Sequence, residues 1–127
     1  MFFKSFEYLR DIEKLISESY NLPVFKGYKA INKRGVEKLI DNIYASLPED
    51  VVNARIYLRE HNYNNPEIKK DKNSVYDLLK MLEICLEEGW QFMQNVIVKT
   101  KEIENLLDRI YAGMPEEIIE ARKKHNL

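Results

Sequence analysis

Side-chain catalysis needs nucleophiles, acid–base pairs or metal ligands brought close together, and in this chain such residues are few and scattered. The two histidines, His61 and His125, lie in no H-E-x-x-H, E-x-x-H or Cys/His array, so neither a metal nor any other cofactor is expected. Cys85, the single cysteine, sits in Leu82-Glu83-Ile84-Cys85-Leu86 with no His, Lys or Arg beside it to lower its pKa. It reads as a small core residue and has no disulfide partner. The acidic pairs are Glu49-Asp50, Glu87-Glu88 and Glu116-Glu117; the first and third fall where helices should begin, which suits capping better than proton transfer. No glycine-rich loop matches a phosphate cradle. An enzyme with a site between the two repeats of the chain is a third reading, behind two that need no catalysis.

Basic residues offer a second chemistry. Lys26, Lys29, Lys33 and Arg34 interleave with Phe25 and Tyr28, and Lys69, Lys70 and Lys72 form a further cluster. Tracking a phosphate backbone while stacking bases would require such residues on one face. Charge as a whole does not favour it, since 20 basic residues stand against 21 acidic ones for a net −1.

The elements that must position these residues follow from composition and periodicity. With 127 residues, 45% apolar and only four Gly and four Pro, the chain suits one compact, mostly helical domain. The apolar start is broken by Lys4 and no apolar run approaches the roughly 18 residues of a membrane span, so a cytoplasmic location is expected.

The dominant pattern is an internal repeat. Leu47-Pro48-Glu49-Asp50-Val51-Val52-Asn53-Ala54-Arg55 recurs as Met114-Pro115-Glu116-Glu117-Ile118-Ile119-Glu120-Ala121-Arg122, a shift of 67 (115 minus 48). Over 31–55 against 98–122, ten of 25 pairs are identical. Unrelated segments would share about one or two. Upstream, Phe6-Glu7-Tyr8-Leu9-Arg10 falls on Tyr76-Asp77-Leu78-Leu79-Lys80 at a shift of 70, so the second copy is shorter by three residues in its middle (70 minus 67). The chain divides into repeat one (4–62), a polar connector (63–73) and repeat two (74–127), packed about a pseudo-twofold axis within one domain.

Each repeat predicts a helix, an extended segment and two further helices. Phe6, Leu9, Ile12 and Ile16, and likewise Val75, Leu78, Leu79, Leu82 and Leu86, mark the first helices; Ser74 with Asp77 forms a capping-box-like start and Gly89 a stop. Lys29-Ala30-Ile31 and Val96-Ile97-Val98 are expected to pair as a two-stranded ribbon burying Phe25, Trp90 and Phe92. The fold class is therefore all-α with a minor ribbon. Val36, Leu39, Ile40, Ile43 and Leu47 mark the next helix, capped by Asn32 or Lys33; its counterpart carries Ile103, Leu106, Leu107, Ile110 and Met114, capped by Thr100. Pro48 and Pro115 should end these helices and open an αα-hairpin in each copy, with Ser46-x-x-Glu49 as a capping box. Such hairpins would bring Asp41 level with Arg55 and Asp108 level with Arg122 as structural ion pairs.

On Tyr76, Leu79, Leu82, Glu83, Val98, Leu106, Leu107, Asp108 and the run Met114-Pro115-Glu116-Glu117-Ile118 with Ala121 and Arg122, each unit resembles a family of small uncharacterised bacterial helical proteins with a Leu-Pro-Glu-Glu-Ile-x-x-Ala-Arg motif. Copy one departs from it at Asp50 and Val51. Members are sometimes labelled as resembling the b subunit of rotary ATP synthases. The resemblance implies fold and bacterial origin; it brings no activity with it.

The function expected is a non-catalytic protein–protein interaction or assembly module, with a protein partner or self-association into a homo-oligomer. The repeated polar positions Tyr44, Arg55, Tyr111 and Arg122 are the candidate contact residues. Binding of nucleic acid or an acidic surface by the basic clusters is the alternative.

Overall fold

Phe6, Leu9, Ile12 and Ile16 recur at helical spacing and lie buried along one side of α1 (Lys4–Ser17). This is the first element of a computed structural model that describes residues 3–22, 26–61 and 73–125. The matching helix α3 (Val75–Glu88) starts with the expected capping box. Ser74 Oγ accepts from the Asp77 N–H at 3.1 Å, and the Asp77 carboxylate accepts from the Ser74 N–H at 3.2 Å. Each of these helices leads into a β-hairpin, β1 (Tyr20–Asn21) with β2 (Tyr28–Asn32), and β3 (Trp90–Phe92) with β4 (Asn95–Lys99). Each hairpin leads into another helix, α2 (Lys33–His61) or α4 (Thr100–Ala112), and α5 (Glu116–His125) closes the chain. The protein is mostly helical, with a small antiparallel sheet.

The expected ribbon forms, and it is the centre of a four-stranded sheet of order β1-β2-β4-β3. Ala30 lies opposite Ile97, Tyr28 opposite Lys99 and Asn32 opposite Asn95. The sequence shift of 67 carries Ala30 onto Ile97, Tyr28 onto Asn95 and Asn32 onto Lys99, so this ladder sets each residue across from a counterpart placed symmetrically about the Ala30–Ile97 rung. The outer strands follow the shift of 70: Tyr20 pairs with Ala30 and Trp90 with Ile97 (90 minus 20). The three missing residues are then located. Five residues separate Leu22 from Tyr28, whose backbone groups meet at 3.4 Å, whereas two separate Phe92 from Asn95.

Residues directly opposite in an antiparallel ladder project to the same side, and neighbours along a strand alternate. Ile31, Val96 and Val98 therefore share one face, and all three are buried against the helices. They join Leu9, Ile12, Ile40, Ile43, Leu79, Leu82, Ile103 and Ile110 in one continuous core to which both repeats contribute. Each such side chain taken out of water stabilises by about 1.5–3 kcal/mol.

Three sequence expectations require correction. Pro48 does not end a helix: α2 runs for 29 residues with Pro48 inside it, and Ser46 Oγ donates to the Ile43 carbonyl at 3.2 Å within that helix instead of opening a new one. The loss of a backbone bond at Pro48 is offset by what lies beyond it, since Asp50, Ala54 and Tyr57 are all buried and α2 packs on both α1 and α5. In copy two the helix does break, at Gly113, and the Pro115 carbonyl accepts from the N–H groups of Ile118 and Ile119 as α5 begins. There α5 packs on α2 of the first copy, so neither repeat forms the expected hairpin. Finally, Asn32 caps α2 through a 3.1 Å bond from the Gly35 N–H, but Thr100 does not cap α4; its own N–H is held at 2.8 Å by the carbonyl of Gly27.

Candidate functional site

The four repeated polar residues lie where one copy meets the other. Tyr44 stacks on Tyr76 of copy two, with ring centroids 5.9 Å apart and planes 16° from parallel. Tyr111 meets Phe6 of copy one at 6.2 Å and 32°. These are the same contact twice, because 111 minus 67 is 44 and 76 minus 70 is 6. Burial pushes both hydroxyls above the ordinary tyrosine pKa. For Tyr111 the effect is large, because its hydroxyl also donates to the Glu13 carboxylate, with Arg122 and Arg10 opposing in part.

The arginines differ from their expected roles. Arg122 lies 4.1 Å above the Phe6 ring, where burial first and Arg10 second lower its pKa. Arg55 donates from Nε to Glu117 Oε1 at 3.0 Å, again from one copy to the other. The ion pair of Asp41 with Arg55 is ruled out by the unbroken α2, where 14 residues set them about 21 Å apart. Asp108 lines a hollow with Ser17 and Lys29 near the end of α1, while Arg122 covers Phe6 near its start.

The first basic cluster is dispersed. Lys26 is exposed at one end of β2, Lys33 and Arg34 stand at the other, and Lys29 projects to the helix-covered face, donating from Nζ to the Ile16 carbonyl at 3.2 Å. Lys69, Lys70 and Lys72 lie outside the described residues, as does Phe25.

What the fold does assemble is the other face of the sheet. Tyr28, Ala30, Asn32, Asn95, Ile97 and Lys99 point away from the core, and the edge strand adds Trp90 beside Ile97 and Phe92 beside Asn95. Trp90 is 65% exposed and Phe92 55%, which overturns the expectation that the ribbon buries them. The physical reason is that the helices cover one face only, and the register puts both rings on the other. The two-residue turn adds Met93, 90% exposed and held at φ 57°, a left-handed conformation that costs a side-chain-bearing residue about 1–2 kcal/mol. Asn-Gly or Gly would form that turn without strain. The pair Met93-Gln94 in its place is the one feature of the sequence that sets this turn apart from the usual hairpin types.

A groove of ≈ 490 Å³ borders this face where α3 ends, lined by Cys85, Glu88, Trp90, Lys99 and Glu102 among others. Burial, then Glu102 and Glu88, raise the Cys85 pKa, which keeps the thiol protonated and weakly nucleophilic at neutral pH. Among the described residues no group of three or more His, Cys, Asp or Glu could hold a metal ion, and no helix is long and apolar enough to cross a membrane. In comparison with known proteins, no family model, no curated protein and no solved structure matches the chain.

Proposed function

We propose that the chain is a non-catalytic protein–protein interaction or assembly module of the cytoplasm, one domain made by duplicating a helix–hairpin–helix unit whose two copies pack with pseudo-twofold symmetry. Its bacterial origin and kinship with the Leu-Pro-Glu-Glu-Ile family belong to the same reading. The observation that carries it is that Trp90, Phe92 and Met93, the three most exposed of the large apolar side chains described, stand together on one hairpin. Large apolar side chains clustered in water mark contact surfaces, and aromatic and methionine residues are the types most enriched there. In this reading Tyr44, Arg55, Tyr111 and Arg122 hold the two copies together and so keep the contact face in shape.

The test is affinity capture from the organism of origin with the parent chain and the Trp90→Ala/Phe92→Ala variant, bound proteins being identified by mass spectrometry. The expected outcome is a partner retained by the parent and lost by the variant at unchanged circular dichroism. A folded variant that captures the same proteins as the parent overturns the reading.

A further inference from the structure

Within the interaction reading, on which this inference rests, we infer that the partner seated on the outer sheet face is a second copy of this chain. The face carries both halves of a self-complementary contact. Its edge strand and turn form a ridge of Trp90, Phe92 and Met93, and beside the ridge the ladder continues through the half-buried Ile97 to the small, buried Ala30. A twofold rotation that lays one sheet on another sets the ridge of each copy over the smaller side chains of the Ala30–Ile97 rung of its mate, as an isologous interface requires.

Size agrees with this occupant. Aromatic side chains carry about 150–250 Å² each, so Trp90 and Phe92 at their exposures present on the order of 250 Å². With Met93, Tyr28, Ile97 and the flanking Asn32, Asn95 and Lys99, the face reaches roughly 700 Å², close to the 800 Å² per partner of a standard interface. Charge agrees as well. Lys99 is the single charged residue that the paired strands place on the outer face, and it stands at one end with Glu88 and Glu102 in the bordering groove, so stacking two copies leaves the charges at the rim of the contact. The turn adds a further reason: Met93 keeps a strained conformation that glycine would relieve, which is understandable if its side chain packs on a mate's sheet.

The chain reports on its own association, since Trp90 is its single tryptophan. Full-length protein would be followed from low micromolar to several hundred micromolar by sedimentation equilibrium and by tryptophan emission. The expected result is a doubling of the 15.2 kDa mass and, over the same range, a shift of Trp90 emission to the blue. Ile97→Lys should weaken both at least tenfold. Should that variant misfold, Met93→Gly keeps the question open to test, because it relieves strain and should raise the thermal midpoint while weakening association. A chain that stays monomeric with constant emission overturns the homodimer, as does a dimer whose emission is constant and whose affinity ignores both substitutions. So does a monomer whose Trp90 emission shifts only on adding an oligodeoxynucleotide or anionic vesicles. If the chain is monomeric but the capture experiment still yields a partner that Trp90→Ala/Phe92→Ala loses, the second copy is refuted and the interaction reading stands. Loss of both results refutes both.

Discussion

Ser46-Leu47-Pro48 and Gly113-Met114-Pro115 occupy matching places in the two copies, yet the first is threaded into a 29-residue helix and the second separates α4 from α5. An interior proline costs about 3 kcal/mol, so the continuous form needs support from elsewhere. Copy one has it: beyond Pro48, Asp50, Ala54 and Tyr57 are buried, and α5 of the second copy lies alongside. In copy two α4 ends before Gly113, and α5 turns away to provide that support. Two segments of matching sequence can thus keep their core while one gives up its own continuation to brace the other.

The helix starts diverge in a related way. Copy two caps α3 with its own Ser74 and Asp77, whereas Phe3 offers α1 no side-chain cap. The missing acceptor arrives from α2: Asp50, 4% exposed, takes the Ser5 N–H at 2.9 Å and the Ser5 hydroxyl at 2.7 Å through one oxygen. Its counterpart Glu117 (50 plus 67) binds Arg55 of the first copy.

These contrasts can be broken residue by residue. Gly89 and Ser19 are equivalent at the shift of 70, but a Cβ at Gly89 would stand 2.4 Å from Val96 Cγ2 and 2.9 Å from the Ile97 carbonyl, while the Ser19 hydroxyl makes a 2.6 Å bond to the Leu15 carbonyl. Gly89→Ala should therefore lower unfolding stability by about 3 kcal/mol, the upper end for overpacking, because backbone cannot yield as a side chain can. Ser19→Ala should cost about 1 kcal/mol by the same denaturant titration.

The caps come next. Asp50→Ala leaves the start of α1 with a buried N–H and no acceptor, an expected loss of about 2 kcal/mol. Glu117→Ala removes an ion pair whose arginine is 60% exposed, and should cost less than about 1 kcal/mol. Equal effects in urea unfolding would show that the two acids do the same work after all. Of similar size is Ser46→Gly, which gives copy one the residue that ends α4; a loss of about 0.5 kcal/mol together with reduced helical circular dichroism is expected, and an unchanged spectrum would mean that packing alone holds α2 together.

The smallest effect concerns the two tyrosines. Both have pKa values raised by burial, Tyr111 far more than Tyr44, so in the folded chain they stay neutral after an unfolded tyrosine has begun to ionise at about pH 10. Their contribution is present below that pH and is lost as pH rises above it. Tyr111→Phe should flatten the fall of the thermal midpoint between about pH 9 and about pH 11 more than Tyr44→Phe does. The reverse order would place the more shielded hydroxyl in copy one.

Much of this architecture was legible from residues alone, and what was legible is local. Spacings of three and four mark the helices, Ser74 with Asp77 marks a start because a cap acts within one turn, and Val96-Ile97-Val98 marks a strand because branched side chains favour extended backbone. The shifts of 67 and 70 showed that copy two is three residues shorter in its middle, since a deletion leaves both flanks aligned, and the strand ladder then placed the loss in the hairpin turn. The candidate surface was not legible in the same way. Alternation along a strand defines two faces, but which of them is covered depends on where four helices pack, and that put Trp90 and Phe92 in water against expectation. Pro48 was misjudged for the same reason: its penalty is paid locally, whereas the burial of Ala54 and Tyr57 that outweighs it comes from residues far along the chain. The partners of Arg55 and Arg122 were decided last, because a long side chain bonds to whatever the packed helices leave within reach, and only the tertiary structure brought Glu117 and Phe6 there.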